Sequence, residues 1–144
     1  MAKSKRPIDK WALNYIDTAV GTSASNTTLY TATVAETLTG MIVHWNATRS
    51  ASASNLWMGI VIVRDGSSLS TPSVTSGQIP YEPEQDVLWS KFLSQNTGIE
   101  PMHGTDIVKS MRKLKTNDTI RIVAIGSQST AFRIAVSVTG FVKQ

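Results

Sequence analysis

Apolar and polar residues alternate with a period of two along much of this chain. Phe132, Ile134, Val136 and Val138 interleave with Arg133, Ala135, Ser137 and Thr139. This is the spacing of a strand with one buried face, since successive side chains of a strand point to opposite sides. In Thr119–Ile125 the residues Ile120, Ile122 and Ala124 share one side. Asn117-Asp118 separates that run from Val108–Leu114 and predicts a tight hairpin turn between two paired strands. Met41–Trp45 and Trp57–Val63 are instead nearly continuous apolar runs, as expected of strands covered on both faces or packed against a neighbour. Asn46–Asn55 between them is small and polar, and Arg64-Asp65-Gly66 ends the second run with a turn. Leu69–Pro83, rich in Ser, Thr, Pro and Gly, has no period and reads as a long surface excursion. Val87–Leu93 fits a strand or a short helix equally well.

Eight strands follow, at 11–20, 27–34, 37–46, 56–64, 86–93, 106–114, 119–126 and 131–142. Short strands at this spacing, with turns between them, predict a sandwich or barrel. Eight strands in two Greek keys make a jelly roll. The expected fold is thus all-β: an eight-stranded jelly-roll β-sandwich over residues 11–144, preceded by a short, basic, disordered arm over residues 1–10. Abundant Thr, Ser and Val agree with it, because β-branched side chains lose rotamer freedom in helices and pack well on a pleated sheet. At 144 residues the chain is long enough to bury a substantial core as one domain.

Charge adds two basic segments. The formal net charge is +4, yet Lys3, Lys5, Arg6 and Lys10 against Asp9 give residues 1–10 a net +3. Lys109, Arg112, Lys113, Lys115 and Arg121 against Asp106 and Asp118 give residues 105–121 another +3, so the remainder sums to −2. Two basic segments on a slightly acidic body point to a polyanion, although a solvated tail and an ordinary charged strand face account for charge alone. Lys3, Lys5, Arg6, Lys10, Lys109, Arg112, Lys113 and Lys115 are the expected nucleic-acid contacts, since such groups neutralise phosphates without reading sequence.

Motifs for chemistry are missing. The chain has no Gly-x-Ser-x-Gly elbow, phosphate-binding glycine loop or His-Glu-x-x-His helix, so no catalytic residue and no cofactor is expected. Of the two histidines, His44 lies within an apolar run, where a core or interface role is expected, and His103 lies in a loop. Asp65, Glu82, Glu84 and Asp86 supply hard oxygens but lack the spacing of a calcium loop, so a solvated segment and no metal is the reading. The absence of cysteine excludes disulfides and thiolate metal sites. No apolar run approaches the ~20 residues of a membrane-spanning helix, and no membrane partner is expected. The basic start lacks the apolar stretch of a secretory signal. Trp11, Trp45, Trp57 and Trp89 all fall at or within expected strands, where they fill a core or face a neighbouring subunit.

The order of these features resembles the coat proteins of small circular single-stranded DNA viruses. The residues behind the resemblance are Glu36–Gly40 leading into Met41–Trp45, then Leu56–Gly66, Tyr81–Trp89 and Met111–Thr119. The resemblance implies a jelly-roll subunit, sixty copies of which close a T=1 shell around a single-stranded DNA (or RNA) genome, with a basic arm pointing inward. It also implies a virion location, with assembly in the host nucleus or cytoplasm. Such proteins often carry a long Arg-rich arm, whereas this one has barely ten residues. Loops 46–55 and 67–83 would then meet neighbouring subunits. Two other functions suit the same fold, since fold does not fix function. One is a non-catalytic carbohydrate- or receptor-binding module, and the other is an oligomeric chaperone for single-stranded nucleic acid.

Overall fold

A computed structural model of the chain describes residues 8–49, 55–69, 86–93, 102–109, 111–127 and 132–144. Nine strands run through them: β1 (Ile8–Val20), β2 (Ser25–Thr31), β3 (Glu36–Arg49), β4 (Leu56–Val63), β5 (Asp86–Leu93), β6 (Met102–Val108), β7 (Arg112–Leu114), β8 (Thr119–Gly126) and β9 (Phe132–Lys143). They form two antiparallel sheets, β1-β9-β3-β6 with β7 also on β3, and β2-β8-β4-β5.

The pairing is nested. β1 pairs with β9, β2 with β8, β3 with β6 and β7, and β4 with β5. The chain is therefore one long antiparallel hairpin rolled into two layers, the jelly roll. Lateral pairs β3–β9 and β4–β8 complete each sheet. The jelly roll expected from the alternation is present, with nine strands rather than eight. The ninth arises because the strand expected over 106–114 begins earlier, at Met102, and is interrupted after Val108. Met41↔Val108 and Leu38↔Arg112 differ by one residue in register, and both β6 and β7 pair with β3.

The hairpin expected at Asn117-Asp118 is corrected. The turn is there, with Asn117 at φ 73° and the Asp118 N–H donating to the Lys115 carbonyl at 3.0 Å. The strands it joins, however, lie in opposite sheets: β7 pairs with β3, and β8 pairs with β2 and β4. A turn residue fixes a change of chain direction, and the same left-handed Asn serves a crossover between layers. Val87–Leu93, open between strand and helix in the sequence, is strand.

Between the sheets lie Leu38, Met41, Val43, Phe132, Ile134, Val138 and Val142 from one side and Leu56, Met58, Ile60, Ile62, Ile120 and Ile122 from the other. β4 is buried along its whole length, as the continuous apolar run predicts. Its outward residues Trp57, Val61 and Val63 join Val123 in a second apolar cluster with Val87, Phe92 and Ile125. The Met41–Trp45 run departs from that expectation. Val43 is buried, but His44 on the other face is exposed, so β3 is covered on its inner face only.

A sandwich must also be closed along its two open edges. On the β1/β2 edge the Trp11 and Tyr30 rings stack with centroids 5.4 Å apart and planes 13° from parallel. On the β5/β6 edge the Trp89 indole N–H donates to Asp106 Oδ2 at 2.7 Å, Lys91 Nζ lies 3.1 Å from the same oxygen, and Lys91 sits over the Trp45 ring at 5.7 Å. Glycine opposite tryptophan makes both closures fit. Gly140 is the register partner of Trp11, and a Cβ there would overlap the indole. Gly104 is the partner of Trp45, and its Cβ would lie 2.8 Å from the indole nitrogen. Gly140→Ala should therefore lower stability by about 1–3 kcal/mol, the usual cost of overpacking, and change tryptophan fluorescence as Trp11 swings off Tyr30. A urea midpoint equal to that of the unsubstituted protein would show that the indole moves freely.

Candidate nucleic-acid interface

Strand alternation and the observed register fix which side chains share the outer face of the β1-β9-β3-β6 sheet. At one end Lys143 and Lys113 flank Thr37 as its partners on either side. Adjacent strands are about 4.8 Å apart, so these two lysines stand about 10 Å apart across the sheet. Lys10 pairs with Phe141. It is thus the diagonal neighbour of Lys143, about 7–8 Å away between Cα atoms. Lys10, Lys113 and Lys143 are all exposed. Next along come Ile42 with its partners Thr139 and Ile107, the last 68% exposed. His44 follows between Ser137 and Thr105, then Asn46 between Ala135 and His103, then exposed Arg133 beside Thr48.

The two basic segments of the sequence meet here in part. Lys10 and Lys113 come together on this face. Lys10 belongs to β1, since that strand begins at Ile8; Lys3, Lys5 and Arg6 lie outside the described residues. Lys109 is exposed just beyond β6, and Lys115 is exposed in the β7–β8 turn. Arg112 turns the other way: it pairs with Leu38, on the core-facing side, and is half-buried. Alternation along three residues of β7 thus separates Arg112 from Lys113. Lys143 and Arg133 are members of the face that the sequence reading missed. The alternation of β9 could have placed Arg133, Phe141 and Lys143 together, but only the pairing register puts them beside Lys10 and Lys113.

Carboxylates are held elsewhere. Asp118 is buried, and its carboxylate accepts the N–H groups of Asp65 at 2.9 Å and Lys115 at 2.8 Å and the Arg64 guanidinium at 2.9 Å. Arg64 also pairs with Asp86 at 2.6 Å and donates to the Lys113 carbonyl at 2.6 Å. Burial works against the Asp118 charge, but the two backbone N–H groups and Arg64 outweigh it and hold the carboxyl below the usual carboxylate range. The Trp89 indole N–H, chiefly, does the same for Asp106 against its partial burial, with help from Lys91. Glu36 is buried and accepts the Tyr30 hydroxyl. Asp65 is exposed, and Glu82 and Glu84 lie outside the described residues. Among the described side chains, the outer face of this sheet carries Lys10, Lys113, Lys143 and Arg133 and no carboxylate.

Both histidines lie on this same face. His44, expected in a core or an interface, is exposed, and its Nδ1 is 2.8 Å from Thr105 Oγ1. With Asn46, His103 and Ser137 it lines an open depression of about 620 Å³. His103 is in β6 rather than a loop.

The fold and this face define a jelly-roll sandwich with one basic surface. Among solved structures, a chain of infectious bursal disease virus, Gx strain, aligns with a TM-score of 0.51 at 8% identity, covering 97% of the present chain and 34% of the viral one. The present chain thus spans about a third of the viral chain it matches, and the likeness establishes the fold alone. A chain of Desmodium yellow mottle tymovirus aligns at 0.42 and 11% identity over 99% of this chain and 91% of that one. A pilus chain of Bacillus endospore appendages aligns at 0.42 and 8% over 100% and 96%. Scores below 0.5 do not bear on the fold. No protein-family model and no curated protein sequence matches the chain.

Asp118→Asn should cost about 1–3 kcal/mol at neutral pH, because a buried acceptor of three donors loses its charge. The sign with pH follows from linkage. A carboxyl whose folded pKa is depressed stabilises the fold above its unfolded value of about 3.9, and that contribution fades as pH falls through the folded pKa. The urea midpoints of the original and the variant should therefore converge below about pH 4. An equal gap at pH 7 and pH 3 would assign the loss to packing instead.

Proposed function

We propose that this chain is the coat subunit of a small icosahedral virus, sixty copies of which close a T=1 shell around a single-stranded nucleic-acid genome. The observation that carries this is the combination of a jelly-roll sandwich with one sheet face whose described charged side chains are all basic. Lys10, Lys113, Lys143 and Arg133 on that face would meet phosphates in the shell interior, with Lys109 and Lys115 at its border. Lys3, Lys5 and Arg6 precede Ile8 in the sequence, and Ile8 is the register partner of Lys143. The resemblance to coat proteins of small circular single-stranded DNA viruses makes DNA the expected genome, the virion the final location, and the host nucleus or cytoplasm the place of assembly.

Sixty copies at +4 supply about +240, enough for only a few hundred phosphates at one charge each. Other cations or an additional protein would complete neutralisation of a longer genome. The depression lined by His44, Asn46, His103 and Ser137 favours a second reading, a carbohydrate- or receptor-binding module, because it groups hydrogen-bonding side chains on an accessible surface.

Negative-stain microscopy of the purified protein, with absorbance at 260 and 280 nm on the same fraction, separates the two. Uniform closed particles with excess absorbance at 260 nm are expected. Monomers or small oligomers across a range of salt and pH, together with retention on a glycan matrix, would replace the shell with the binding module.

A further inference from the structure

Phe141 lies at the centre of the basic end of this sheet, and the fold gives it no task. It is half-buried and lies on the outer face, between inward-facing Gly140 and Val142. Its backbone is fixed: the carbonyl accepts the Thr39 hydroxyl at 3.2 Å where β3 bulges between Leu38 and Gly40. On one side its partner is Lys10, and two residues along β9 stands Lys143, which shares Thr37 with Lys113. On the other side its partner is Gly40, which contributes no side chain. A Cβ at Gly40 would sit 2.9 Å from the Val108 carbonyl oxygen, so the β6 backbone disfavours any larger residue there.

A partly exposed aromatic ring with a glycine as one strand partner, three exposed lysines near it and no described carboxylate on its face suits one kind of ligand. Phosphates need cations, and an unpaired base needs a flat apolar partner. A duplex hides its bases and leaves the ring unused, and an acidic peptide would use the lysines alone.

We propose that Phe141 is a base-stacking platform for single-stranded nucleic acid, with Lys10, Lys113 and Lys143 holding the phosphates on either side of the stacked nucleotide. This rests on the reading of the protein as a subunit that packages a single strand, and it names the residues that touch the strand. Recognition is indifferent to sequence, because every base has a face to stack and the lysines carry no pattern that reads base edges. One stacked base and three phosphate contacts per subunit make a weak site that sixty copies would multiply.

The test uses the full-length protein, kept dispersed at low concentration, with fluorescence anisotropy of a short oligothymidylate and of an abasic strand of the same length. The two probes share their phosphates and differ only in bases. The unsubstituted protein should bind oligothymidylate roughly 5- to 150-fold more tightly than the abasic strand, the range for one stacked base. Phe141→Leu keeps apolar bulk and should abolish that preference without changing the salt dependence. Lys113→Ala with Lys143→Ala should keep the preference and reduce the slope of log affinity on log salt by about 1.4, at about 0.7 per phosphate contact on a single strand. Circular dichroism checks that each variant is folded. An unsubstituted protein with no preference, or a Phe141→Leu variant that retains it, overturns the platform. If particles of the same preparation still carry excess absorbance at 260 nm, packaging survives that result. Failure of the unsubstituted protein to bind either strand at low salt, with empty particles or none, overturns packaging and the platform together.

Discussion

The antiparallel pairing of the two chain ends, from Ile8↔Lys143 to Val20↔Phe132, is the constraint on which the rest of the subunit depends. β9 lies between β1 and β3 and supplies Phe132, Ile134, Val136, Val138 and Val142 to the core, so the sheet has no middle without it. β1 in turn brings Trp11 over Gly140 and against Tyr30, which shuts one edge of the sandwich. The same register places Lys10 beside Phe141 and Lys143. Trp11 and Gly140, like Lys10 and Phe141, are more than a hundred positions apart in the chain. Such distant pairing costs loop-closure entropy before any contact repays it, so folding is expected to be slow relative to a helical protein of this size.

The two sheets use their outer faces differently, and composition explains how. β4 and β8 present Trp57, Val61, Val63 and Val123 outward, and these are buried in a second apolar cluster. β9 and β3 present Arg133, Ala135, Ser137 and Thr139, and Thr48, Asn46 and His44. A sheet with apolar residues on both faces needs cover on both, whereas an antiparallel sheet with small polar residues outside is stable against water. The second kind leaves its outer positions to solvent, where Lys10, Lys113 and Lys143 stand exposed. The basic face therefore falls on the β1-β9-β3-β6 sheet for the same reason that its inner face holds the core.

Much of this was legible in the sequence. A period of two identifies β9 and β8 directly, and the continuous apolar run identifies β4 as covered on both sides. The local signals failed where the answer lay in pairing. Asn117-Asp118 correctly marks a turn, but a turn carries no information on which sheet receives the next strand. The pairing with β3 shifts by one residue between Val108 and Arg112, which a hydrophobic pattern cannot show. The count of positive charges in 105–121 groups Arg112 with Lys113, although alternation sends them to opposite faces. Lys143 carries no local signal at all, since its meaning comes from Ile8 and Thr37 across the ladder.

Three described carboxylates, Asp86, Asp106 and Asp118, are tied into the fold by charged and hydrogen-bonding partners. Arg64 alone draws Asp86 and Asp118 together with the Lys113 carbonyl, tying the end of β4, the start of β5 and the β7–β8 turn into one network. Asp106 is held between Trp89 and Lys91 on the β5/β6 edge. Asp118 is buried while Asp86 and Asp106 are partly exposed, and all three stabilise the fold through these bonds. The Arg64 bond to the Lys113 carbonyl makes the link explicit. The network that holds Asp118 thus also bonds the backbone of β7 at Lys113.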